Sequence, residues 1–168
     1  MLLQFTIAAR VIGTRATIGS GAYERALRSL NPDVQVTARS CPLLVPLIEE
    51  GWLEHPITDQ ILMQYLDPLL KEGIDTLVLG CTHYPLLRPA MERLLGNTIT
   101  LVDSAQNCAN AVRELLVSEN LSAGATNPGL LQVALTDRPD NFLRVAREAL
   151  RLDVGKVQLR EVAAHAPL

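Results

Sequence analysis

At 168 residues the chain suits one ordinary domain or two small ones, and it can bury a real core. A net charge of −3, with the arginines dispersed along the chain, gives no electrostatic reason to expect nucleic acid. No apolar run approaches the roughly 18 residues of a membrane span, and Cys41, Cys81 and Cys108 have neither CxxC zinc spacing nor disulfide density, so a reducing cytoplasm is expected.

Residues 1–9 are as hydrophobic as a signal h-region but short and without a positive n-region, so secretion is not expected and they are set apart as a leader. Arg10 to Thr14 reads as a strand entering a Gly/Thr loop, and Ser20 to Leu30 as a helix stopped by Asn31-Pro32-Asp33. Val34 to Ala38 alternates as a second strand and delivers Arg39-Ser40-Cys41-Pro42. A short helix follows over Leu43 to Glu50, ending at Gly51. Thr58 is expected to cap the next helix, which Pro68 should kink or interrupt and Gly73 should stop. Strand 75–80 comes next, then a helix from about Pro85 to Leu95 and strand Thr98 to Val102.

Asp103 and Ser104 lead into a helix with Cys108, Val112 and Leu115 on one apolar face, where Cys108 is expected to be core. Ser118 to Gly129 reads as a surface loop. Leu130 to Leu135 is a further strand, a helix runs from Pro139 through Leu150, and Val154 to Val162 is a last, weaker strand. Strands and helices alternate throughout, so the fold class is α/β with a parallel sheet.

The chemistry concentrates in Gly80-Cys81-Thr82-His83-Tyr84-Pro85, directly after the apolar run Thr76-Leu77-Val78-Leu79. Open α/β sheets place their ligands at the carboxyl ends of strands, where this stretch falls. A histidine two residues from a cysteine can hold the thiol deprotonated or shuttle its proton. The plainer alternative is a buried structural cysteine. Gly13-Thr14 alone is a poor case for phosphate binding, since neither a Walker-type motif nor GxGxxG is present.

Four stretches in order resemble the cofactor-independent glutamate racemases: 11–17 with 20–23, 41–51, 77–87 and 102–105. Related aspartate and hydantoin racemases share the architecture but usually lack the Cys-Pro-Leu-x-Val-Pro-Leu-x-Glu-Glu-Gly run found at 41–51. The resemblance implies interconversion of L- and D-glutamate for cell-wall synthesis, with no cofactor or metal. Two cysteines, one from each of two similar α/β domains, would flank the α-carbon. By this resemblance Cys81 matches the second cysteine and His83 its assisting histidine. Thr82, Thr14 and Thr17 match substrate-binding positions, and Glu50 matches an acidic residue near the histidine. The plain alternatives are loop hydroxyls for the threonines and a solvated helix end for Glu49 and Glu50.

The resemblance also has a gap. The family's opening Asp-Ser-Gly loop and its Ala-Cys-Asn-Thr segment, which supplies the first cysteine, are not found in this sequence. The chain is therefore expected to look like the carboxyl-terminal part of a racemase. Residues 10–102 would form the second α/β domain nearly complete, and 103–168 a remnant of the first, with strand 130–135 lacking neighbours and apolar helix faces uncovered.

Two readings stand: a glutamate racemase by family, acting on a small-molecule substrate as a homodimer or with its other half supplied, or an inactive or ligand-binding fragment. Three expectations follow. Cys81 and Thr14 should share one rim of a parallel sheet, Cys81 should be more reactive than Cys108, and this chain should not racemise glutamate at a useful rate.

Overall fold

The computed structural model describes residues 8–124, 129–137 and 140–161. The expectations for residues 1–7 of the leader, 125–128 of the loop, Pro139 and Val162 lie outside the described residues. Strand β1 (Ala8–Gly13) is buried from Ala9 to Gly13, as a strand covered on both faces requires. It lies between β2 (Gln35–Ser40) and β3 (Thr76–Gly80), and β4 (Thr100–Asp103) closes the order β2-β1-β3-β4. All three pairings are parallel, with Gly13 opposite both Ser40 and Gly80. The first strand begins two residues earlier than its apolar run suggests, because Ala8 pairs with Gln35 and its amide donates to the Asp75 carboxylate.

Side-chain alternation along β1 divides the core into two layers. Ala9 and Val11, with Val36 and Val78, meet Ile18 of α1 (Arg15–Gly19) and Tyr23 and Leu27 of α2 (Ala22–Leu30). On the other face Ile12, Leu77 and Leu79 pack against α3 (Leu44–Glu49), α4 (Pro56–Lys71) and α5 (Arg88–Leu95). Leu44, Leu62, Leu66 and Met91 are fully buried here, each contributing on the order of 2–3 kcal/mol of apolar burial.

Several element ends differ from the sequence reading. The stretch after β1 is not only a loop, since Thr14 caps α1 by accepting the Thr17 amide at 3.2 Å. Helix α4 starts earlier than Thr58: His55 Nδ1 accepts the Ile57 amide and Pro56 takes the first turn, where its missing N–H costs nothing. Thr58 is instead buried inside the helix, its hydroxyl donating 2.6 Å to the Trp52 carbonyl. Pro68 does not interrupt α4, which runs on to Lys71. Burial of Leu66 and Leu69 on either side offsets the one backbone bond that a proline near the end removes. Gly73 follows with φ +71°, as a helix stop demands. The 85–95 helix is a 3₁₀ turn, Tyr84–Leu87, that passes into α5.

Beyond the four-stranded sheet, β5 (Val133–Leu135) does not lack a neighbour. It pairs in parallel with β6 (Val157–Leu159), and α7 (Asp140–Glu148) crosses between them. Helix α7 packs beside α3, burying Ala146 and joining Arg144 to Glu50 at 3.3 Å. Helix α6 (Ser104–Ser118) has no buried residue, so the expected uncovered apolar face is present. Val112 and Leu115 are 49% and 58% exposed. Cys108 is exposed with them and is not core, because no other described element covers the face on which it lies.

Asp103 ties α6 to the sheet. Its buried carboxylate accepts the Gln106 amide at 2.9 Å and the Arg88 guanidinium at 2.6 Å. The Gln106 amide bond first, and then Arg88, hold this carboxyl below its ordinary range against the opposing effect of burial. A carboxyl lowered on folding contributes stability that is present above its unfolded value and lost as the pH falls through the folded one. Asp103→Asn keeps a good helix cap but removes the charge. It should cost roughly 1–2 kcal/mol in urea unfolding at pH 7. That difference should shrink in acid, below the ordinary carboxylate range, as the pH falls through the lowered value of Asp103. A difference unchanged in acid would show that the charge contributes nothing.

Candidate active site

All four strands of the main sheet point their carboxyl ends to one rim, and the residue after each begins a different loop. Thr14 follows β1, Cys41 follows β2, Cys81 follows β3, and Asp103 ends β4. Gly13 opposite Gly80 in register brings Thr14 and Cys81 to this rim together, as expected. Both glycines are needed for close approach. A Cβ on Gly80 would stand 2.9 Å from the Ile12 carbonyl oxygen, and one on Gly13 3.2 Å from the Gly80 carbonyl oxygen.

Cys81 is half-buried at the mouth of the β3 loop, with its Sγ 3.9 Å from His83 Nδ1. The opposite ring nitrogen, Nε2, lies 3.3 Å from Glu49 Oε1 at the end of α3. A carboxylate accepting from Nε2 selects the tautomer whose Nδ1 is free to accept the Cys81 proton. Thiol, imidazole and carboxylate thus form a relay in which Cys81 can give up a proton and take one back.

The acidic partner differs from the one expected. Glu50 turns away to Arg144 of α7, and Glu49 faces His83. Neighbouring residues on a helix diverge by about 100°, so only one of two adjacent glutamates can meet a given ring. Thr14 and Thr17 lie together, hydroxyl to hydroxyl at 2.9 Å, at the start of α1. Thr82 is exposed beside Cys81. Among the described residues no group of three His, Cys, Asp or Glu side chains is arranged to hold a metal ion.

Cys41 sits below the rim in the core, where burial pushes its thiol up to about 12 despite the nearby Arg39. With Cys108 exposed, burial no longer separates it from Cys81, and the protected cysteine is Cys41. Brief iodoacetamide treatment of the native protein at pH 8 should modify Cys81 and Cys108 at least about a hundredfold faster than Cys41. Early labelling of Cys41 would mean that the rim opens readily.

The sequence that builds this rim matches a known family. The profile of the Asp/Glu/Hydantoin racemases matches residues 3–112. The chain belongs to this family. The match takes in residues 3–9, which the sequence reading set apart.

Among relatives of the family, the glutamate racemase of Syntrophus aciditrophicus is 46% identical over 140 residues, 83% of this chain and 52% of that protein. The glutamate racemase of Neisseria meningitidis serogroup A is 42% identical over 149 residues, 89% of this chain and 55% of that protein. This chain therefore spans about half the length of the curated relatives it matches. Among solved structures, glutamate racemase from Francisella tularensis in complex with D-glutamate aligns at a TM-score of 0.79 and 29% identity, over 94% of this chain and 59% of that one. A Bacillus anthracis glutamate racemase aligns at 0.78 and 33%, over 95% and 60%.

Tyr84 lies in the motif, but its sequence context assigns it no role. It is fully buried, and its hydroxyl donates 2.9 Å to the Cys41 carbonyl, joining the β3 loop to the β2 loop. An aromatic residue inside a polar loop is the one signal that could have drawn attention to it.

Proposed function

We propose that this chain supplies one thiol base of a glutamate racemase, with Cys81 as acid or base on one face of the α-carbon. The observation that carries the reading is Cys81 beside His83, itself backed by Glu49, on the rim that also carries Thr14. The similarity to glutamate racemases, one of them solved with D-glutamate, supports the choice of substrate. His83 Nδ1 takes the thiol proton, the Cys81 thiolate then takes the α-proton, and the carbanion recovers a proton from the same thiol. Thr82, Thr14 and Thr17 hold the ammonium and carboxylate groups of the amino acid. In this reading residues 10–102 are the family's second domain, which carries this half-site, and 103–168 are a remnant of the first. Inversion needs a second thiol on the opposite face, and among the described residues neither Cys41 nor Cys108 supplies it at this rim. No helix among the described residues is long and apolar enough to cross a membrane, and we place the reaction in the cytoplasm.

The second reading is binding without catalysis, favoured because neither Cys41, which is buried, nor Cys108, on α6, adds a second thiol to the rim. Incubation in heavy water with L-glutamate and D-glutamate separately distinguishes the two. Deuterium entering one enantiomer without inversion is the expected result for this chain. No Cys81-dependent exchange with either enantiomer, together with saturable glutamate binding, would favour the second reading.

A further inference from the structure

We propose that the buried hydroxyl of Tyr84 is a positioning residue for the half-site: it sets the orientation of α3 so that Glu49 meets His83 and His83 meets Cys81. The inference rests on Cys81 as the reacting thiol. Its readout is thiol alkylation, so it fails separately from the proposed activity.

Two adjacent residues of one loop hold the two ends of the same short segment. Tyr84 donates to the Cys41 carbonyl at 2.9 Å, where that segment begins, and His83 meets Glu49 at 3.3 Å, where it ends. A six-residue helix attached at one point can pivot, whereas attachment at both ends sets its direction. The Cys41 carbonyl is well placed to transmit this restraint. It also accepts the Leu44 amide at 3.2 Å, the first turn of α3, and the Cys41 amide donates 2.8 Å to the Gly13 carbonyl. The tyrosine hydroxyl therefore joins the loops of β2 and β3 at a point already fastened to β1. The Tyr84 amide returns 3.1 Å to the Cys81 carbonyl, so the same residue closes the turn that carries the thiol. The His83–Glu49 pair cannot do this alone, because both side chains are about a third exposed, where an ion pair holds geometry weakly. The Tyr84 bond is buried, where breaking it leaves the carbonyl with one donor fewer and no solvent in its place.

The test is a double-mutant cycle read through the pH profile of Cys81 alkylation, with Cys81 modification quantified by mass spectrometry. Glu49→Gln should shift the profile in the otherwise unaltered protein. In the Tyr84→Phe background the same change should shift it by less than a third as much, since the carboxylate is no longer held against the imidazole. Tyr65→Phe is the control. Its hydroxyl accepts the Leu43 amide at 3.4 Å on the same segment but does not reach the Cys81 turn, and it should leave the full shift. An equal Glu49→Gln shift with and without the Tyr84 hydroxyl overturns the proposal. So does no shift in the unaltered protein, or equal loss in the Tyr65→Phe background. Should Tyr84→Phe fail to fold, hydrogen exchange on the unaltered protein decides. The Cys41 and Tyr84 amides should open together, and a more than tenfold difference in their protection would show that the loops are not joined.

Discussion

Cys81→Ala is expected to reduce deuterium incorporation into glutamate to the uncatalysed background, a loss of at least a hundredfold in rate. Alanine removes the thiol that accepts the α-proton and returns it, while leaving the loop backbone free to keep its turn. His83 cannot substitute, because one of its nitrogens faces Glu49 and the other faces the thiol. Cys41 cannot substitute, since it lies beneath the rim and burial keeps it in the thiol form. His83→Ala should be milder, lowering exchange by removing the thiol's proton acceptor while leaving the thiol itself in place. The measurement is NMR of the α-proton signal in heavy water, for L- and D-glutamate in separate tubes. Exchange that persists in Cys81→Ala would remove Cys81 from the mechanism. Substantial inversion that depends on Cys81 would require a second base in this chain or in a second copy of it.

The second large effect falls on the fold. Gly80→Val should destabilise the protein by roughly 2–4 kcal/mol, enough to unfold much of a marginally stable domain. The reason is local and steric. The new Cβ would stand 2.9 Å from the Ile12 carbonyl oxygen and 3.1 Å from both Val11 Cγ1 and Tyr23 Cε2. The first of these is backbone of the central strand and cannot yield without prising β1 from β3. Gly19→Ala is the matched control, since a Cβ there meets nothing within 4 Å and the residue is helical. It should be neutral or slightly stabilising. Urea unfolding followed by circular dichroism measures both. A Gly80→Val protein as stable as its parent would mean that β1 and β3 do not approach as closely as their register states.

These two expectations draw on different kinds of legibility. The stretch from Thr76 to His83 could be read directly: an apolar run long enough for one buried strand, a glycine, and then reactive side chains at the strand's carboxyl end. The shared rim of Thr14 and Cys81 followed from the same rule applied twice, and the parallel pairing of β1 with β3 bears it out. Local rules failed where two of them competed. Thr58 looks like a helix cap, but His55 and Pro56 form a better one three residues earlier, and the threonine hydroxyl finds the Trp52 carbonyl instead. Pro68 carries a strong breaking signal, yet the leucines packed on either side outweigh the one lost backbone bond.

The α/β alternation, the parallel sheet and a rim cysteine with a histidine beside it are legible in the sequence alone, because each depends on residue types at short separations. The sequence also marked α6 as amphipathic, but whether that face is covered depends on what packs there, and it stands exposed with Cys108 on it. The choice between Glu49 and Glu50 is made by long-range packing. Both sit at the end of one helix with the same charge, and their roles differ because the β3 loop passes one and α7 the other. The same holds for Tyr84, 43 residues from the carbonyl that accepts its proton. Contacts across such separations are settled by how layers stack on a sheet, which no local spacing encodes.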